Sequence, residues 1–554
     1  MKRFLLPSLV LFISFTAANS QVPDAVLWHK YELAFTSVLQ YENPVQEVKA
    51  FEVEFTSPTG VKKKINGFWD GGTSWKARFQ PGETGTWQFE TRCSDTKNSG
   101  LHSIKGTFVC KSQPEQRAIF RNGPVTNPKG TYHLTHADGT PFFWLACTAW
   151  NGALKSTESE WDQYLQQRVD NDYSVIQFVT TQWRGCDKSS EGLVAFTGSG
   201  RISVNPDFFR LIDKKIDRIN EYGLVAAPVI LWTLQNGSGR ELSPGYYLPD
   251  DQAILLARYI VARYGGNSVV WILGGDGIYT GTYEQRWKTI GRAVFDGSHQ
   301  GIVAQHPCGK SWIGEVYKDE QWLNIIGYQS SHSNAEGTVN WITKGPMSEM
   351  WNRLPARPLI NLEPNYEEIG FRITDKDVRN ASYWSLFATP MAGITYGANG
   401  IWPWLHQGER ILNHGDAPGT SPWDVSMNFP GSLQMGYLAR FIKKFEWWNL
   451  YPAGELLLDQ PGNAVYNHFV SVIKSVDNRT ILAYLPVKQT IRLRKPLGHN
   501  YRARWFDPVN NLYSDGMVSD DGSVMTITSP TQSDMILILE EPVKIDVKVR
   551  RARD

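Results

Sequence analysis

The sequence predicts a multidomain chain: a central (β/α)8 TIM barrel flanked by an N-terminal immunoglobulin-like β-sandwich and a C-terminal small β-sandwich. Three observations lead there. From about residue 121, short apolar runs alternate with amphipathic helical stretches eight times over. On either side the pattern turns to short segments alternating apolar and polar residues, as half-buried strands do. The 554 residues exceed what one domain needs, since a barrel takes about 250 of them. The resulting division is 1–20 signal peptide, 21–115 immunoglobulin-like sandwich, 121–450 barrel, 452–545 C-terminal sandwich and 546–554 basic tail.

In chain order, Met1-Lys-Arg precedes an apolar stretch and the small residues Ala18-Asn-Ser20. A charged segment, a short apolar segment and small residues at a cleavage site make an export signal, cut after Ser20 to leave Gln21. The run is too short to span a bilayer, and no cysteine follows it to carry a lipid. Export through a cleavable signal peptide to the periplasm or the medium is therefore expected, with no membrane anchor.

Residues 26–35, 48–55 and 86–91 alternate in strand fashion and are separated by turns rich in Pro and Gly. Nothing catalytic accompanies them, and packing against the next domain is the favoured role. Barrel strands are expected at 142–148, 174–181, 224–231, 268–273, 302–306, 324–329, 358–362 and 393–397. Helical patterns lie between them at 158–171, 206–222, 251–264, 283–295, 375–388 and 433–445. Asn205-Pro206 is an N-cap and first-turn pair. A doubly wound open sheet is the runner-up, disfavoured because no glycine-rich nucleotide loop follows the first strand. After 452, strands are expected at 464–466, 469–473, 480–484, 490–493, 501–505 and 535–539.

The charge is balanced, 56 Lys and Arg against 55 Asp and Glu, so no global field recruits nucleic acid or an anionic membrane. Tryptophan is heavily used, with 22 residues: most serve packing, and flat aromatic faces also suit sugar rings. Of the five cysteines, Cys93 and Cys110 lie on apparent neighbouring strands and could pair. Cys147, Cys186 and Cys308 read as small buried apolar residues.

The chemistry concentrates at strand ends. Val270-Trp-Ile-Leu-Gly-Gly-Asp276 ends an apolar run in a carboxylate, and Leu359-Ile-Asn-Leu-Glu363-Pro does so again. Barrel enzymes carry their catalytic groups at this end of the strands. Two carboxyls on one rim are what glycoside hydrolysis needs, one to protonate the leaving oxygen and one to attack or activate water. Asp276 is the expected acid/base and Glu363 the expected nucleophile. Other strand ends supply the expected substrate-binding residues Trp150, Asn151, Gln182, Trp183, Trp232, His306, Tyr328, Gln329, His332, Trp402 and Trp404. No metal is expected, because no carboxylate–histidine spacing accompanies His306 and His332, and no other cofactor is expected. No Gly-x-Ser-x-Gly elbow marks a serine hydrolase.

The runs Phe143-Trp-Leu-Ala, Ala149-Trp150, Val270 to Asp276, Gly327-Tyr-Gln-Ser-Ser-His332 and Asn361-Leu-Glu-Pro-Asn-Tyr-Glu367 together resemble the apiosidase-like bacterial glycoside hydrolases over about 121–450. The resemblance implies a (β/α)8 enzyme whose acid pair is an aspartate after the fourth strand and a glutamate after the seventh, matching Asp276 and Glu363. It also implies the β-sandwich in front. The run Tyr501-Arg-Ala-Arg-Trp-Phe-Asp-Pro508 is similar to a C-terminal β-domain often labelled collagen-binding, though no residue here argues for collagen. The expected function is an exported glycosidase, retaining in mechanism, acting on plant or algal polysaccharide or its oligosaccharides. The alternatives are a non-catalytic glycan-binding barrel and a polysaccharide lyase. The partner is a carbohydrate; sugar, linkage and oligomeric state are not encoded legibly.

Overall fold

The computed structural model describes residues 23–414 and 421–542. The expected signal peptide and basic tail lie outside the described residues. Eight parallel strands form the centre: β1 Trp144–Thr148, β2 Val175–Val179, β3 Val225–Trp232, β4 Val270–Gly275, β5 Ile302–Gln305, β6 Ile325–Gln329, β7 Leu359–Glu363 and β8 Gly393–Ala398. Every residue of these strands is buried, as in a sheet covered on both faces. Neighbours pair in chain order, and β1 pairs with β8 from Trp144 opposite Gly393 to Cys147 opposite Tyr396, which closes the barrel.

Around it lie α1 Glu158–Asp170, α2 Pro206–Glu221, α3 Asp250–Tyr264, α4 Glu284–Val294, α5 Glu336–Lys344, α6 Asp375–Ala388 and α7 Pro430–Ile442. Local sequence starts several of them. Thr157 and Glu160 form a reciprocal capping box on α1, Thr374 and Asp377 do so on α6, and the Asn205 side chain accepts from Asp207 N ahead of α2. The fifth unit departs from strand–helix alternation: the crossover from β5 to β6 has no α-helix, and Pro307, Gly309 and Gly314 interrupt any helical run there.

The N-terminal region is a sandwich of two antiparallel-rich sheets. One has the order Ala25–Val26, Lys105–Lys111, Gly85–Cys93, Phe51–Thr56, Lys62–Asn66; the other has Tyr31–Thr36, Ser74–Phe79, Phe68–Trp69. It docks on α2 and α3 through a buried ion network. Asp213 of α2 receives Arg263 of α3 at 2.7 Å and Arg78 of the sandwich at 2.9 Å, and Arg263 also reaches Asp70 of the sandwich at 2.9 Å. Both guanidinium groups lie over the Phe68 ring.

Cys93 and Cys110 do sit on adjacent strands, but at opposite ends of them. Cys110 is level with Gly85, whereas Cys93 is eight positions further along the same partner strand. At about 3.4 Å per residue that spacing rules out a bond, and all five cysteines are free.

The C-terminal region also carries two sheets. The larger runs Leu450–Pro452, Ser471–Ser475, Thr480–Leu485, Met535–Glu540, Arg502–Asp507, Leu512–Asp515, so its edge strand begins just before 452. In place of the strand expected at 464–466, Ala464 and Val465 link two short 3-10 turns, Pro461–Asn463 and Tyr466–His468, where Pro461 and Gly462 favour turning over extension. This region packs on α6 and α7: Arg379 of α6 meets Asp534 at 2.8 Å with both side chains buried, and Phe441 of α7 stacks on Phe506.

Candidate active site

Asp276 follows the last residue of β4 and has a left-handed backbone, φ 48°. Aspartate tolerates this conformation better than most residues, and it turns the carboxyl out of the strand line. The two preceding glycines serve ring packing. A Cβ on Gly275 would lie 2.5 Å from the Trp232 ring, and one on Gly274 would lie 2.5 Å from the Tyr279 hydroxyl. Beyond Asp276, Gln235 clamps the backbone of Ile278, accepting from its N–H at 2.9 Å and donating to its carbonyl at 3.1 Å.

Glu363 closes β7. A β-bulge lies here: Tyr328 is level with Asn361 and Gln329 with Glu363, so Leu362 is skipped. Without it, Asn361 and Glu363 would share a face. With it, Asn361 turns outward to Ser385 of α6 while Glu363 turns into the mouth.

The two acids are joined through histidine. His306, at the end of β5, accepts from the Asp276 N–H at Nδ1, 3.0 Å away, and brings Nε2 to 3.1 Å from Glu363 Oε2. The latter contact is close but poorly aligned, leaving Nε2 and Oε2 without a well-directed partner. His332 approaches the other oxygen, with Nε2 at 3.0 Å from Glu363 Oε1. The Tyr366 hydroxyl lies within electrostatic reach of the Glu363 carboxylate and receives Trp150 Nε1–H at 2.9 Å, and its ring packs on His332.

Burial pushes the Asp276 carboxyl up to about 7, and the nearby Glu363 charge adds to the effect. Burial acts on Glu363 in the same sense. There the imidazoles of His306 and His332 outweigh it and hold the carboxyl well below the usual range. The protonated form is favoured on one acid and the ionised form on the other, the division of labour that acid–base and nucleophilic roles require. Arg184 lies within electrostatic reach of Asp276 and is braced by His414 at 2.8 Å and the Asn413 carbonyl at 2.9 Å.

The expected binding residues divide by what their polar groups already do. Trp150, Trp183, Trp232 and Trp402 form a connected aromatic wall that reaches His306. Gln329 lies level with Glu363 on β6, its Oε1 buried without a partner. Asn151 is occupied: it donates to the carbonyls of Gly185 and Pro403 and accepts from Trp183 Nε1–H. Gln182 is likewise spent on Phe196 O and Ala195 N. Two residues leave the cleft altogether. Tyr328, next to Gln329 on an alternating strand, faces outward to Trp341 of α5 and Ser385 of α6. Trp404 is stacked on Trp423 and against Trp161 and Tyr164 of α1.

The expected set of site residues lacks Tyr366, Arg184 and Gln235. Tyr366 had a signal, standing three residues after Glu363, and so did Arg184, which follows Gln182 and Trp183 at the end of the second strand; Gln235 meets the segment after Asp276 only on folding. Among the described residues no group of three or more His, Cys, Asp or Glu is arranged to hold a metal ion. No helix among them is long and apolar enough to cross a membrane.

Comparison with known proteins places this geometry. A family model described as an apiosidase-like catalytic domain matches residues 128–449, and one for a domain of unknown function, DUF5060, matches 25–94. A solved glycoside hydrolase aligns over 78% of this chain and 99% of its own, at 22% identity and a TM-score of 0.66. A glycoside hydrolase family 5 protein from Bacteroides vulgatus aligns over 77% and 95%, at 20% identity and a TM-score of 0.67. A third structure, from the same organism, covers 94% of this chain and 100% of its own, at 16% identity and a TM-score of 0.69. No curated relative matches the sequence.

Proposed function

Because the chain belongs to the apiosidase-like family of catalytic domains, we propose that it is an exported glycosidase acting by a retaining, two-carboxylate mechanism on plant or algal polysaccharide or its oligosaccharides. The observation that carries this is the pair Asp276 and Glu363. They share one barrel mouth, linked by a single imidazole, with carboxyl affinities for protons pushed in opposite directions.

The steps follow from those proton states. Glu363, ionised, attacks the anomeric carbon while Asp276 gives its proton to the departing glycosidic oxygen, leaving a glycosyl ester on Glu363. Asp276, now a carboxylate, takes a proton from water as that water attacks the anomeric carbon, freeing the sugar and restoring both groups. Trp150 and Trp232, which pack at the His306 ring, supply apolar faces for the sugar.

The test is sugar release from a panel of cell-wall and algal oligosaccharides by the parent, Asp276→Asn and Glu363→Gln proteins. Both variants should lose release while keeping the parent's circular dichroism and a cooperative thermal transition. Undiminished release by either removes that residue from the mechanism. Proton NMR of the first-formed anomer tests retention, and amino-terminal sequencing of protein recovered outside the cytoplasm should begin at Gln21.

A further inference from the structure

The hydrogen bonds around the two histidines fix a proton inventory. A backbone N–H only donates, so His306 Nδ1, which receives Asp276 N–H at 3.0 Å, carries no proton. The proton of neutral His306 is then on Nε2, facing Glu363. His332 is built the other way round. Its Nδ1 lies 2.8 Å from the Pro364 carbonyl, which only accepts, so Nδ1 must bear hydrogen. Its Nε2 lies 3.0 Å from Glu363 Oε1, and an ionised carboxylate also only accepts. Turning the ring over would put carbon at both positions and lose both contacts.

We infer that His332 is a doubly protonated imidazolium clamp on Glu363, a positioning residue that orients and charge-balances the carboxylate, while His306 stays neutral on the other side. This rests on the glycosidase reading only for its role, and not for its charge. The Tyr366 ring, 4.2 Å from the His332 ring between centroids, gives that cation a polarisable face. The other charged or titratable groups around His332 are Asp276 and His306 in the mouth and Arg372, which lines the same groove. Arg372 and neutral His306 do not stabilise a cation, and burial and the Glu363 charge favour the neutral form of Asp276, so the Glu363 carboxylate, in direct contact at 3.0 Å, is what holds the second proton on His332.

The experiment is nitrogen NMR of the full chain labelled with 15N-histidine at neutral pH. His332→Gln and His306→Gln assign the two rings by loss of signals. The wild-type His332 ring should show two protonated nitrogens, and the His306 ring one protonated and one bare. In Glu363→Gln, His332 should lose the Nε2 proton and keep the Nδ1 proton. A bare nitrogen on His332 in the wild type, or two protons kept in Glu363→Gln, overturns the inference. Neither result depends on substrate, so absence of sugar release from the oligosaccharide panel would sink the glycosidase reading and leave this one standing.

Discussion

The backbone N–H of Asp276 donates to the ring of His306, 3.0 Å away, so the residue that closes the fifth strand unit sets the position of the acid that closes the fourth. His306→Ala would leave that donor buried and unpaired and would free one flank of Glu363. The expected result is a fall in kcat of about 10²-fold from misplacement of the reacting groups, with the fold retained. His306→Asn, whose amide oxygen can stand in for Nδ1, should recover part of it. Steady-state kinetics of the two variants makes the comparison, and equal losses in both would show that the Asp276 contact contributes nothing.

Opposed proton affinities predict a pH profile. Catalysis needs Asp276 protonated and Glu363 ionised, so kcat/KM should decline as pH rises through about 7 and should hold well into the acid range. Stability carries the same signature. The folded protein binds the Asp276 proton more tightly than the unfolded chain does, so that contribution is present below about pH 4 and is lost as pH rises through about 7. Glu363 contributes in the opposite sense: its stabilisation is present above about pH 4 and is lost on further acidification. Melting temperature against pH for Asp276→Asn should therefore lose the decline across that first window, and the variant should be the more stable protein above it.

Both acids could be placed at the mouth from sequence because each stands at the carboxyl end of a largely apolar strand, the end where barrel enzymes carry their catalytic groups. The rest of the site was less legible for identifiable reasons. Tyr328 and Gln329 are adjacent in sequence and share the same polar character, yet strand alternation sends one to the helices and the other to the cleft. The bulge that turns Glu363 inward leaves no mark in composition. Trp404 follows Trp402 by two residues, but its left-handed backbone, φ 51°, redirects it onto α1. Asn151 and Gln182 have the right chemistry for a sugar and spend it on loop backbone. Partner choice of this kind is decided by residues brought together only in three dimensions.

The junction between sandwich and barrel should be fragile at one residue. Asp213 balances Arg78 and Arg263, whose side chains are 4% and 0% exposed. Asp213→Ala would leave two buried guanidinium groups facing each other, with Asp70 and Glu32 as partial compensation. Breaking a buried pair in this way costs about 3–5 kcal/mol. The two arginines hold the Asp213 carboxyl far below its usual range, so its stabilisation is present above about pH 4 and fades on further acidification. Chemical denaturation at neutral and acid pH measures both effects; a loss under about 1 kcal/mol at neutral pH would mean the network is not what seats the sandwich.

Cysteine chemistry offers a check on the register of the first domain. Phe51 is level with Cys93, and Ala25 and Gly85 are level with Cys110, so the two sulfurs sit at opposite ends of the sheet. A disulfide between them would require the strand Gly85–Cys93 to slip by most of its length, which would carry Trp87 and Phe89 away from the core partners they pack on. The thermal midpoint should therefore be the same with and without reductant, and intact mass after alkylation under denaturing conditions should show five modified thiols. Under native conditions Cys308, the one cysteine that is not buried, should react first. A reductant-sensitive midpoint together with two thiols missing from the alkylated mass would show that the strand register of the sandwich is wrong.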